Sequence, residues 1–202
     1  MPLTRKGAAT RDRIVAAAAA LLRERGVDEV SLDDIRTATA TSKSQLFHYF
    51  PEGRAQLLLA VAEHEAAAVL QDQEPQLSSL GPPESWTAWR DVVIARYEAQ
   101  GTHCPLGALT RQLAPSNPEV RPIVVDLLTT WQARLSEGAG RAGAADPGRA
   151  AVIILTAVQG GVNMLLATGD STALRVSLDA ALAGLRLVGP PGGGAHVDLL
   201  TA

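Results

Sequence analysis

The chain has 202 residues, 47% hydrophobic and 19% charged, enough length and apolar content to bury a sizeable core and to exclude a disordered polymer. One cysteine, Cys104, excludes an intramolecular disulfide and a multi-cysteine metal site. The net charge of −3 hides an asymmetry: residues 1–54 hold nine Lys+Arg against seven Asp+Glu, net +2, and the remainder nine against fourteen, net −5. A basic start on an acidic body suits a small nucleic-acid module carried by another domain. The basic residues of 1–10 have no apolar segment behind them, so no secretory signal is read. No charge-free run of about 18 apolar residues is read either. A cytoplasmic, soluble protein without a membrane span is therefore expected.

The first helix is predicted from Thr10, with Ile14, Ala18, Leu21 and Leu22 on one face, to a stop at Gly26. Arg5 and Lys6 are read as a solvated tail before it. Ser31 with Asp34 forms a capping-box pair, and Val30 with Ile35 the matching hydrophobic staple. Ser42 with Gln45 repeats the signature only eleven residues later, and Pro51 and Gly53 close the second helix. Two short helices joined by a tight turn make a helix-turn-helix pattern. Longer helices follow: one along Leu57, Leu58, Val61, Glu65 and Val69, and one along Trp86, Trp89, Val93 and Tyr97. A short helix is expected over Leu106 to Leu113, then one capped by Ser116 and Glu119 that carries Leu127, Trp131 and Leu135. Gly138 to Gly148 reads as a flexible break. The last helices are predicted at Arg149 to Ala167, with Ile154, Val158, Met164 and Leu165 as its stripe, and at Ser171 to Val188. Residues 189–202, rich in proline and glycine, read as a disordered tail. No strand run is found, so the fold class is all-α.

From residue 31 to residue 58 the chain resembles the TetR-family helix-turn-helix and the start of the helix after it. Leu32, Ile35, Ala38, Ser42, Leu46, Tyr49 and Phe50 fall on that family's pattern, and residues 10–25 are similar to its first helix. Phe50 to Leu57 and Gly101 to Gly107 resemble one branch, the lincomycin-resistance repressors. The chain departs from the pattern at Ala40 and Thr41, where glycine and valine are usual, at Phe47 for tyrosine, and at Arg54 for lysine. The resemblance implies a three-helix DNA-binding domain at 1–54 and a helical effector-binding and dimerisation domain at 55–188. It implies a bacterial, non-enzymatic repressor without cofactor or metal, a homodimer on palindromic double-stranded operator DNA, released by a small-molecule effector.

Major-groove readout needs one helix with polar groups aimed outward. With Leu46 and Phe50 turned inward, Lys43, Ser44, Gln45, Phe47 and His48 face out. Gln45 suits adenine or closes the cap with Ser42; Lys43 suits guanine or phosphate; Phe47 suits a thymine methyl. His48 reads as a groove residue or a solvated one, Tyr49 as a phosphate contact or core. Arg54, at a helix start, is expected on a backbone phosphate. The last two helices are expected to form a four-helix bundle with a partner's, with Gly160, Gly161, Ala167, Ala180, Ala181 and Ala183 permitting close packing.

Effector candidates are Trp86, Trp89, Tyr97, Leu109, Leu127, Trp131, Gln159, Asn163 and Met164, an apolar set with two amides, suited to an apolar or aromatic molecule. Two alternatives stand beside this: a redox-sensing regulator acting through Cys104, and a helical ligand-binding protein without DNA binding. His48, His64, His103 and His196 are scattered, and no nucleophile elbow, phosphate loop or dinucleotide fingerprint is present, so no enzyme is expected.

Overall fold

The structure, a computed structural model, describes residues 4–186, and among these every regular element is a helix. α1 (Arg5–Arg25) starts earlier than the sequence pattern suggests. Thr4 caps it, its hydroxyl accepting from Gly7 N–H at 3.2 Å, so Arg5 and Lys6 form an exposed first turn rather than a loose tail. Ile14, Val15, Ala18, Ala19 and Leu22 bury one face of this helix. α2 (Leu32–Thr39) and α3 (Lys43–Tyr49) are short, and α1 packs on both α2 and α4 (Arg54–Gln71). Ile14, Leu22, Ile35, Leu46, Phe50 and Leu57 are fully buried in the core of this N-terminal head.

α4 continues from the head into the body, where it meets α6 (Pro105–Gly107) and α8 (Arg121–Arg141). α5 (Pro83–Gln100) packs on α10 (Thr172–Arg186). The short helix expected at 106–113 is more broken: α6 (Pro105–Gly107), a π-helical turn (Ala108–Leu113) and α7 (Ala114–Ser116). Asn117 supplies a cap here, its Oδ1 accepting from Glu119 N–H at 3.0 Å ahead of α8 (Arg121–Arg141).

α8 runs through Gly138 and Gly140, which corrects the flexible break expected there. Gly138 is a packing glycine: a Cβ on it would stand 2.6 Å from Leu80 Cβ and 3.2 Å from the Trp86 ring. Only residues 142–146 separate α8 from α9 (Pro147–Thr168), which packs on α8 and on α10 (Thr172–Arg186). Gly161 lets α9 and α10 approach backbone to backbone, since a Cβ there would lie 2.5 Å from Leu174 Cα.

Against the sequence expectation, α9 is long and apolar enough, by length and composition, to cross a membrane; Arg149 is its one charged residue. Within the protein its stripe Ala151, Ile154, Leu155, Val158, Val162 and Leu165 is buried. Met164, expected in that stripe, is half exposed, because the helix turns it to the outer face with Ile153, Thr156 and Gly160. The expected tail at 189–202 lies outside the described residues.

Candidate nucleic-acid interface

The head builds its two short helices from reciprocal caps. Ser31 Oγ accepts from Asp34 N–H at 3.1 Å, and the Asp34 carboxylate accepts from Ser31 N–H at 2.8 Å. The hydroxyl and amide of Ser31, then Arg25, hold the Asp34 carboxyl at about 2, so the cap keeps its charge through the physiological range. α2 stops at Ala40, which takes the left-handed conformation with φ 49°, while Thr41 N–H closes onto Arg36 O at 3.0 Å. The turn thus keeps the geometry that favours glycine, at a cost of order 1 kcal/mol for alanine.

Ser42 Oγ accepts from Gln45 N–H at 3.1 Å, and Gln45 Oε1 accepts from Ser42 N–H at 3.2 Å, starting α3. Leu46 and Phe50 are buried beneath it, and the Arg11 guanidinium lies 5.4 Å from the Phe50 ring centre. Lys43, Ser44, Gln45, Phe47 and His48 are exposed on the other side, Phe47 at 40%. Tyr49 is half-buried, edge-on to His48 at 5.0 Å. The closed cap occupies the Gln45 oxygen and leaves its amide donor facing solvent.

Arg54 differs from expectation. Its guanidinium donates to Val30 O at 2.5 Å and to Val27 O, so it clamps the α1–α2 loop onto α4 instead of projecting to a phosphate. These carbonyls follow the end of α1 and have no helical partner, which is why the cation turns inward. Arg13 similarly donates to Thr39 O at the end of α2. Neither link is visible as a local sequence pattern.

Residues 14–61 match the family described as bacterial regulatory proteins, tetR family. The match covers the helix-turn-helix head, which is similar to the N-terminal domain of that family. An uncharacterized HTH-type transcriptional regulator of Mycobacterium tuberculosis is 29% identical over 109 residues, covering 50% of this chain and 51% of that protein. The match therefore spans about half the length of that relative. An HTH-type transcriptional regulator from the lacX 3' region of Lactococcus lactis is 24% identical over 191 residues, covering 89% of this chain and 95% of the relative. A TetR transcriptional regulator from Chloroflexus aurantiacus shares the fold, with a TM-score of 0.73 at 23% identity over 91% of this chain and 97% of that one.

Head and body are joined through α4. Arg23 of α1 donates to Glu65 Oε1 of α4, the Glu65 side chain is fully buried, and its second oxygen has no partner among the described residues. Burial pushes the Glu65 carboxyl up to about 7, against the pull of Arg23.

The nine effector candidates are not brought together. Trp86, Trp89, Leu109 and Trp131 are core, with Trp86 and Trp89 edge-to-face at 6.0 Å and Trp89 Nε1 donating to the buried Gln73 Oε1 at 2.9 Å. Tyr97 is buried beside a crevice of only 10 Å³. Leu127 lines a 520 Å³ groove between α4 and α8. Gln159 and Asn163 line a separate groove of 320 Å³ with Leu106 and Thr110. Met164 lies on neither. Large aromatic side chains fill the interior of the body, which sequence periodicity cannot distinguish from lining a pocket.

Cys104 corrects the redox alternative. Its Sγ accepts from Gly107 N–H at 3.1 Å at the start of α6, yet the side chain is fully buried. Burial outweighs that cap and pushes the thiol up, with Glu65 adding to the shift, so the exposed thiolate that sensing needs is not built there.

Proposed function

We propose that this chain is a ligand-responsive repressor that binds palindromic operator DNA as a homodimer and is released by a small effector with an apolar or aromatic body. Residues 1–54 are the DNA-binding domain in this reading, and 55–188 the effector-binding and dimerisation domain. The observation that carries it is α3, doubly capped, with Lys43, Ser44, Gln45, Phe47 and His48 exposed on one side and Leu46 and Phe50 anchoring the other. Gln45 Nε2 donates to a purine acceptor, Lys43 reaches guanine or phosphate, and Phe47 meets a thymine methyl. Tyr49 contacts the backbone at the groove edge. With the Arg54 guanidinium engaged, a phosphate near it is held by the free N–H groups at the start of α4, where Gly53 provides no side-chain cap.

One α3 covers too little DNA for specific binding, so two copies on half-sites about 34–36 Å apart are required. Support for the dimer lies on α9 and α10. Val152, Ile153, Met164 and Val176 are exposed there, and among the described residues nothing lies within 4 Å of where a Cβ on Gly160 or Gly184 would stand. Ala167, Ala180 and Ala183 are exposed as well, whereas Gly161 and Ala181 are buried within the chain. An apolar face with small residues suits close packing of the same face from a second copy. The stretches at 50–57 and 101–107 favour the branch of the lincomycin-resistance repressors.

The test is selection of bound fragments from genomic DNA, followed by gel shift. A palindromic site that is lost on Lys43→Ala and Gln45→Ala supports the reading. No enrichment at low salt by a folded dimer overturns it.

A further inference from the structure

A groove of 520 Å³ opens between α4 and α8, and its lining has a consistent chemistry. On α4 it is formed by Glu63, Ala66, Ala67 and Leu70, one helical stripe at i, i+3, i+4 and i+7. On α8 the facing stripe includes Ile123, Asp126, Leu127 and Thr130. The alanines on α4 leave a gap where larger side chains would close the two helices together. The floor is apolar, and each wall contributes one carboxylate, Glu63 and Asp126, with no cation in the lining. Both carboxylates are exposed, and neither makes a salt bridge or hydrogen bond among the described residues. Among the other carboxylates of the body, three form ion pairs between elements: Glu74 with Arg134, Glu98 with Arg175 and Asp179 with Arg90.

We propose that the α4–α8 groove is a binding site for an amphiphilic organic cation, a flat or branched aromatic body carrying a fixed positive charge. The apolar body fills the space over Ala66, Ala67, Leu70, Ile123 and Leu127, and the charge sits between Glu63 and Asp126. A neutral molecule gains nothing from the two carboxylates, which stay hydrated, and an anion is repelled by them. This specifies the effector class within the repressor reading and rests on that reading for its regulatory meaning. The route to the head is short. α4, which forms one wall, is tied to α1 through Glu65 and Arg23 and to the α1–α2 loop through Arg54. A ligand that spreads α4 from α8 therefore favours a different placement of the head, which is the differential binding that release requires.

The experiment is calorimetric titration of the full chain, free of DNA, with tetraphenylphosphonium and with tetraphenylborate, ions of the same shape and opposite charge. The cation is expected to bind at least about tenfold tighter. The double variant Glu63→Gln with Asp126→Asn should lower its affinity by about tenfold and erase the preference, as two partly exposed charge contacts predict. Ala67→Trp, at an exposed position, should block the groove while leaving the melting temperature unchanged. Equal or tighter binding of tetraphenylborate, or a preference that survives the double variant, overturns the site. Charge-dependent cation binding by a chain that selects no operator supports the site and removes the repressor reading. An operator bound normally, with no charge-dependent cation binding, removes the site alone.

Discussion

In the head, α2 and α3 have eight and seven residues, and each is fixed by a reciprocal cap, Ser31 with Asp34 and Ser42 with Gln45. In the body, α5 and α8 have 18 and 21 residues, start with no side-chain cap, and are held by the buried Trp86, Trp89 and Trp131. Helices of two turns are too short to persist alone, so they depend on strong local terms at their ends. Long helices take most of their stability from a buried face, and their ends matter less. The head is therefore a structure of hydrogen bonds at chosen backbone atoms, and the body one of packed volume.

The largest contrast should come from Trp131→Ala, which empties a fully buried site in the body. A loss of about 4 kcal/mol is expected in urea unfolding. A loss under about 1 kcal/mol would mean that packing does not hold the body.

Next comes Arg23→Ala, at the joint between the two regions. Removing the cation from a buried carboxylate should destabilise by about 2 kcal/mol at pH 8, discounted because Arg23 is itself partly exposed. The sign follows from Glu65, whose carboxyl stands at about 7 in the folded protein against an ordinary value of 4.5. Between those values the folded chain keeps a proton that the unfolded chain has lost, so this contribution is complete below 4.5 and disappears as pH rises through about 7. Without Arg23 the carboxyl rises further and the decline extends to higher pH. The deficit of Arg23→Ala should thus be larger at pH 8 than at pH 5, and Glu65→Gln should flatten the wild-type decline. Melting curves across that range decide it; a pH-independent deficit argues against a charged pair.

Smaller again is Ser42→Ala, which removes the α3 cap for about 1 kcal/mol and should weaken operator binding along with stability. An equal effect from removing the Asp146 cap of α9, whose Oδ1 accepts from Arg149 N–H at 2.9 Å, would erase the distinction between the regions. The smallest change is Ala40→Gly, which relieves a left-handed φ of 49° and should raise stability by about 0.5 kcal/mol, net of the greater freedom of glycine when unfolded. No gain in melting temperature would show that the turn accommodates alanine without strain.

Much of the head was legible because its signals are local. Ser31 and Asp34, like Ser42 and Gln45, stand three residues apart and form the expected boxes, and Leu46 and Phe50 turn inward as their spacing requires. Arg54 misled because its partners, Val27 and Val30, are 27 and 24 residues away. In the body, periodicity found the helices but not what their faces meet. Gly138 looked like a break and is a contact point for Leu80; Met164 looked like core and is exposed. Glu63 and Asp126 carry no motif, and only the approach of α4 to α8 makes them a pair across a groove.

The sequence by itself determined the all-helical class, the helix-turn-helix with its caps, and the outward set on α3, because each depends on backbone groups and neighbours within about one helical turn. The tertiary structure alone decided that the tryptophans fill the interior, that Arg54 and Arg23 bind head to α4, that Cys104 is sealed, and that an acidic, apolar-floored groove opens beside α4. Those outcomes depend on which surfaces meet across tens of residues of chain. Close packing allows few such arrangements, and no local pattern records which one is taken.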